Sequence, residues 1–366
     1  MIETKNGCSA EFWEDEGHFV AGEGDLPDLE GCGASVIFRT SGSTGEGKWV
    51  VLEKRAMRVS ARAVNCWLEV GGHSCWGLAL PIDHVGGFAI LARVFEAGCD
   101  FAVLPGKWDA AAFTEWVQKE GVTHTSLVPT QLHDLVEGSF RAPQGLKAVV
   151  TGGGRLDENL GQAGRDLGWP VLASYGMTEA GSQVATQRLA SLDKSFSEGP
   201  MELLPIWDVE EIGGVLAISG EALFAGTVEG GGFIPRAPGA FVTSDRVRIA
   251  GNTLKPLGRA DSLVKSMGVL VDLEAVERRF LEVAGGSVAA GEFAIVALVD
   301  ARKDHVLAAV FEGEVKSEYV EVYNRQAAGI ERIAESFEIM DFPRSSLGKV
   351  RRGRLAEMCM GKRAEK

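Results

Sequence analysis

Thr40-Ser41-Gly42-Ser43-Thr44-Gly45-Glu46-Gly47-Lys48, running into Trp49-Val50-Val51-Leu52, is the stretch whose reading decides the fold. Three glycines, four hydroxyl side chains and a terminal lysine make a cradle for a polyphosphate. Glycine lets backbone N–H groups approach phosphate oxygens, and the hydroxyls and ammonium add donors and positive charge. Gly42 to Lys48 has the spacing G-x-x-x-x-G-K of a P-loop, which also needs a following Ser or Thr for magnesium and a helix opened by the lysine. Trp49 takes the hydroxyl position, and residues 49–52 are an apolar, largely β-branched run that reads as a strand. The P-loop reading fails on both counts.

Four further motifs follow in order: Ser174-Tyr175-Gly176-Met177-Thr178-Glu179, Thr243-Ser244-Asp245, Gly258-Arg259-Ala260-Asp261 and Gly348-Lys349. With the loop at residues 40–48, this series resembles the acyl- and aryl-adenylate-forming (AMP-binding) superfamily of acyl-CoA synthetases, peptide-synthetase adenylation domains and luciferases. The likeness runs over about residues 34–355, and five ordered motifs are far more specific than any one. Within the superfamily it is closest to the o-succinylbenzoate–CoA ligases of menaquinone biosynthesis. That finer likeness rests on Ser182-Gln183 after the second motif, Val128-Pro129-Thr130-Gln131-Leu132, and His84-Val85-Gly86-Gly87 with Arg93 beyond it.

Composition is consistent with this. A chain of 366 residues, 45% hydrophobic and 24% charged, suits an ordinary globular protein of two domains. A net charge of −14 argues against nucleic acid as partner, because neutralising phosphates needs excess Lys and Arg. Six cysteines without a C-x-x-C pair point to a reducing compartment. Residues 1–30 hold nine acidic residues and one lysine, unlike a targeting peptide. No apolar run reaches the ~18 residues of a membrane span. The expected location is cytoplasmic, and the expected partners are a small carboxylic acid, ATP and CoA; homo-oligomeric assembly is compatible with the reading.

Strand and helix patterns alternate through residues 35–173: strands at 35–38, 49–52, 77–80, 101–104, 123–128, 146–150 and 170–173, with helices at 56–68, 88–97 and 109–120. One further strand is expected near residues 18–20. That rhythm predicts an α/β fold with a mostly parallel sheet and ligands at the carboxyl ends of its strands. The phosphate loop, the His84 turn, Gly152-Gly153-Gly154 and Ser174–Glu179 all follow strands on this reading, so they are expected on one edge. A β-rich segment begins near residue 210. Residues 1–257 form the expected nucleotide- and acyl-binding domain and residues 258–366 a small mobile α+β domain with its hinge near Asp261. The small domain is expected to have a helix at 273–283, strands at 293–300 and 306–311, a helix at 315–333 and a terminal loop.

The resemblance implies a role for each motif. The loop from Thr40 through Ser41, Gly42, Ser43, Thr44 and Gly45 to Lys48 holds the β- and γ-phosphates; Gly47 stands where proline is usual. Thr178 contacts the α-phosphate and Glu179 holds Mg²⁺, a hard cation that prefers oxygen. Tyr175, within Ser174-Tyr175-Gly176-Met177, stacks on adenine, against Gly152-Gly153-Gly154. Asp245 and Arg259 bind the ribose. Lys349 bridges carboxylate and α-phosphate during adenylation. The small domain then rotates about Asp261 and brings Lys265 and Gly268 to the thioester step. His84 stands at the mouth of the acyl pocket. Arg93, Ser182 and Gln183 are candidates for the second carboxylate of an aromatic dicarboxylic acid. One departure is that 39 residues precede the loop, where the family usually carries a substantial subdomain. Two alternatives remain open: an adenylate-forming ligase for another acid or thiol acceptor, and a non-catalytic nucleotide- or acyl-adenylate-binding relative.

Overall fold

The computed structural model describes residues 6–21, 29–40, 48–229, 232–266, 269–289, 291–300, 303–344, 348 and 350–364. Ser41, Gly42, Ser43, Thr44, Gly45, Gly47, Gly268 and Lys349, and the side chain of Asp261, lie outside the described residues. Among those described, one compact unit holds the chain up to residue 243 with 247–257, and a second holds 244–246 and the chain from Gly258 onward.

Five parallel strands form one half of the main sheet in the first unit. They lie in the order Asp100–Val103, Cys75–Leu78, His124–Leu127, Ala148–Thr151, Val171–Met177. Helices Val85–Ala97, Ala110–Lys119, Pro129–Glu137 and Glu158–Asp166 make the connections, as parallel pairing requires. Local signals end and begin them: Asp109 accepts a hydrogen bond from the Ala112 N–H (2.8 Å), and Gly98 turns left-handed (φ 57°) after Ala97. Beyond Val171–Met177 the sheet continues through Ser182–Thr186, Met201–Leu203, Thr253–Arg259, Phe241–Ala250, Val215–Ser219 and Asp208–Ile212.

The hairpin that carries the phosphate loop belongs to another sheet. Ser35–Thr40 pairs antiparallel with Lys48–Glu53, beside Phe19–Ala21, Gly226–Glu229 and Gly232–Pro235. The physical reason is length. Seven residues join the two strands, whereas a parallel crossover needs about a dozen or more. Ser174–Met177 also differs from expectation, because it continues the strand Val171–Met177 rather than following it.

Helix Val85–Ala97 is buried along most of its length between these layers. Phe88 lies 5.6–6.2 Å, ring centre to ring centre, from Phe12, Trp13, Phe19 and Phe38, so one side chain ties the N-terminal segment and the smaller sheet to this helix. Buried Lys54 holds the same segment, donating to the Phe12 and Asp15 carbonyls at 2.8 and 3.0 Å.

In the second unit, strands Phe293–Asp300, Asp304–Glu312 and Ile333–Ile339 form one sheet. Alternation sends Phe293 and Ile295 toward the cluster with Phe280 and Tyr323, and Ala294, Val296 and Leu298 toward Leu355 and Cys359. Two expectations are corrected. The helix expected over 315–333 spans only Ser317–Gln326, and Ile333 starts a strand; Asn324 holds that start through two 2.8 Å bonds to the Ile333 N–H and C=O. The expected terminal loop ends in helix Arg352–Ala364, whose buried contribution is chiefly Leu355 and Cys359, one turn apart. So narrow an apolar stripe among charges is hard to see in sequence.

Phe280 stacks on Phe293 with ring centres 4.1 Å apart at the middle of that core. Phe280→Ala is expected to destabilise the second unit by about 3–5 kcal/mol, measurable by urea denaturation.

Candidate active site

The signature Ser174-Tyr175-Gly176-Met177-Thr178-Glu179 is one arm of a tight reversal. Val171–Met177 pairs antiparallel with Ser182–Thr186, and the register slips between Tyr175 and Gly176. The slip presses Gly176 onto the neighbouring strand, where a Cβ would overlap the Ser182 carbonyl oxygen. Only glycine fits there. A short 3-10 turn, Thr178–Ala180, closes on Gly181 in the left-handed region (φ 62°), whose N–H donates to the Thr178 carbonyl at 3.0 Å. Ser182 follows at φ 136°, a value costing about 1–3 kcal/mol for a residue with a side chain. The backbone thus holds Thr178, Glu179 and Ser182 in a fixed, strained corner.

Phe224 connects this corner to the phosphate-loop hairpin. Its N–H donates to the Glu179 carbonyl at 2.8 Å, and its ring centre lies 5.9 Å from the Lys48 ammonium. Across the hairpin, the Thr40 hydroxyl donates to the Lys48 carbonyl at 2.9 Å, closing the base of the loop. Phe224 thus touches both Lys48 and the backbone of the Thr178–Ala180 turn. Phe224 was not foreseen, since a lone aromatic residue in a β-rich stretch carries no signal.

Gly152, Gly153 and Gly154 follow strand Ala148–Thr151, with Gly153 at φ 75°. A Cβ on Gly152 would lie 3.3 Å from the Ser174 carbonyl, so this bare backbone runs beside the strand that bears half-buried Tyr175. Ser174 itself is tied inward, its hydroxyl 3.0 Å from that of Thr186. Gln183 is also engaged structurally: its side-chain oxygen accepts from the Thr186 hydroxyl at 2.8 Å, and its carbonyl from the Trp207 indole at 3.0 Å.

His84 caps helix Val85–Ala97 through its carbonyl, which accepts from the Phe88 N–H at 2.9 Å. Burial lowers its pKa below the ordinary histidine value, against the opposing charge of Asp83, so the imidazole is neutral at pH 7. Arg93 lies roughly two and a half turns further along the same helix. Its side chain is fully buried, and its Nη2 donates to the Ser182 hydroxyl at 2.9 Å. Nε and Nη1 have no hydrogen-bond partner among the described residues. Burial pushes the guanidinium down to about 9, which leaves it a cation at neutral pH. Its company is a π-face: the guanidinium carbon lies 5.1 Å from the Trp76 ring centre.

In the second unit Arg259 donates to the Asp245 carboxylate at 3.1 Å and to the Ser244 hydroxyl at 3.0 Å, so the two expected ribose ligands are adjacent. Lys265 is exposed on hairpin strand Leu263–Ser266, paired with Val269–Asp272. Lys349 lies outside the described residues, but the base of its loop is closed by a bridge between Arg344 and Val350. Arg344 also donates to the Gly348 carbonyl at 3.3 Å and pairs with Glu312. Arg352 binds Glu274 at 3.3 Å and Glu277 at 2.8 Å, fixing the start of the last helix.

The model of the family described as AMP-binding enzyme matches residues 22–211. The chain belongs to that family. Among curated relatives, the 2-succinylbenzoate–CoA ligase of Escherichia coli K12 is 32% identical over 241 residues, covering 65% of this chain and 51% of the relative. The enzyme of the same name from Bacillus cereus is 36% identical over 155 residues, covering 42% of this chain and 32% of the relative. The chain thus spans between a third and a half of the length of these curated relatives. Among solved structures, wild-type E. coli MenE with a bound m phenylether-linked analogue of OSB-AMS aligns with TM-score 0.67 and 26% identity, over 89% of this chain and 69% of that one. The o-succinylbenzoate CoA synthetase of Bacillus subtilis, in complex with the acyl-adenylate OSB-AMP, aligns with TM-score 0.75 and 25% identity, over 87% and 68%. Within this family, the fold is the mixed α/β arrangement of the latter enzyme, with a smaller C-terminal β-containing unit. Among the described residues no helix is long and apolar enough to cross a membrane.

Gly176→Ala is expected to displace residues 178–182 and to weaken nucleotide binding at least tenfold, measured by isothermal titration calorimetry with ATP and Mg²⁺.

Proposed function

We propose that this chain is an ATP-dependent, AMP-forming acid–CoA ligase acting on o-succinylbenzoate in menaquinone biosynthesis. The observation that carries the choice of acid is Arg93. A buried cation lacking a carboxylate partner among the described residues is costly, and truncating or filling such a site has large effects. An aromatic dicarboxylate supplies the missing anion: one carboxylate reacts while the other is met by Ser182, with Arg93 behind it. The names of the curated relatives support the same acid.

The chemical problem is to bring a carboxylate to the α-phosphorus of a triphosphate and to exclude water from the mixed anhydride. In this reading the loop 40–48, with Lys48 at its base, neutralises the outer phosphates, and Thr178 donates to the α-phosphate. Glu179 fits a hard divalent ion because a carboxylate is a hard oxygen donor and its residue sits on the fixed turn Thr178–Ala180; bound Mg²⁺ would neutralise charge on the triphosphate. Tyr175 and residues 152–154 flank adenine, and the Asp245–Arg259 pair takes the ribose. Neutral His84 lines the acyl entrance without repelling or trapping the substrate anion. Lys349 acts in adenylation and Lys265 in thioester formation, with rotation about Asp261 between the steps. Two domains, residues 1–257 and 258–366, are the moving parts. Six cysteines outside any disulfide among the described residues support action in the cytoplasm.

Incubation with ATP, Mg²⁺, CoA and o-succinylbenzoate is expected to yield AMP and a CoA thioester of the matching mass; failure to form any adenylate of this acid would sink the assignment. Lys349→Ala is expected to abolish adenylate formation while sparing thioesterification of supplied acyl-adenylate, and Lys265→Ala to do the reverse. Equal loss of both half-reactions in each variant contradicts the alternation of domains.

A further inference from the structure

Arg93 would ordinarily be neutralised by Asp or Glu at such depth, yet its observed partners are the Ser182 hydroxyl and an aromatic face. The aromatic face is itself held in place. The Trp76 indole N–H donates to the Asn65 side-chain oxygen at 3.3 Å, and the Asn65 side-chain N–H donates to the Arg93 carbonyl at 2.8 Å. One amide therefore fixes both the ring and the backbone of the residue the ring faces. All three residues are buried, on helix Lys54–Trp67, strand Cys75–Leu78 and helix Val85–Ala97. The indole also packs on His124, 5.5 Å between ring centres. Burial holds that imidazole down to about 4, so it is neutral and adds no competing charge.

A desolvated cation is attracted to a π-face, but the face accepts no N–H bond in the guanidinium plane. A carboxylate in the same place would take those N–H bonds and cancel the charge. From this geometry we infer that Trp76, held by Asn65, is the positioning residue that keeps Arg93 buried, charged and uncommitted, and so sets the preference for an acid bearing a second carboxylate. The inference rests on the proposed use of Arg93 toward that carboxylate. Trp76 touches no reacting atom; it acts through Arg93.

The test compares o-succinylbenzoate with the counterpart acid lacking the carboxylate that is not activated, by kcat/KM for adenylate formation and by calorimetric binding. Trp76→Leu is expected to lower the dicarboxylate preference at least tenfold, through KM and dissociation constant, with the KM for ATP unchanged. Trp76→Phe, which keeps a π-face, is expected to stay within threefold of the parent. Asn65→Ala, which frees the indole, is expected to fall between them and supplies the answer if Trp76→Leu does not fold. Loss of activity on both acids to the same degree in Trp76→Leu and Asn65→Ala assigns these residues a packing role and overturns the inference. Arg93→Met separates the two levels: if it abolishes the preference while Trp76→Leu does not, the inference about Trp76 fails alone. If the parent protein shows no dicarboxylate preference, the reading of Arg93 fails and takes the inference with it.

Discussion

The close approach of Gly176 to the Ser182 carbonyl is the constraint on which the first unit's site depends. No side chain fits between the two strands at that point, so the bulge, the left-handed Gly181 and the strained Ser182 come as a set. That set orients three groups at once. Thr178 and Glu179 ride on the short turn, and Ser182 is turned so that its hydroxyl meets Arg93. A site spread over a flexible loop would have to order these groups on binding, at about 1–2 kcal/mol per residue. Here the hairpin has already ordered them.

Arg93 is the second element, and its burial follows from the architecture. Helix Val85–Ala97 is buried from Gly87 to Val94, so Arg93 is carried into the core with its neighbours. A cation there must be compensated or must serve a ligand. The π-face of Trp76 and a hydroxyl supply partial compensation, with two donors left over.

Much of the fold was legible because its signals are local. Helix ends announced themselves at Asp109 and Gly98, and strands appeared as short β-branched runs. The errors occurred where the deciding term was distant. Residues 315–333 look helical throughout, but Asn324 captures Ile333 and a β-bulge at Leu307–Ala308 lets Ile333 and Phe337 face different clusters. Helix Arg352–Ala364 exists because Leu355 and Cys359 cover the second face of a sheet, which nothing within the helix itself reveals.

The sequence by itself determined the family, the order of the motifs and the residue types available for phosphate, metal and carboxylate. These follow from short-range requirements for glycine, hydroxyl and charge at fixed spacings. Only the tertiary structure decided that the phosphate-loop hairpin stands in a separate sheet, that Phe224 joins Lys48 to the Glu179 turn, and that Gln183 is spent on Thr186 while Ser182 faces Arg93. Those outcomes depend on burial and on contacts between residues far apart in the chain, such as Asn65, Trp76 and Arg93. A string of residue types records which side chains can carry charge; packing selects which of them is buried and what it meets there.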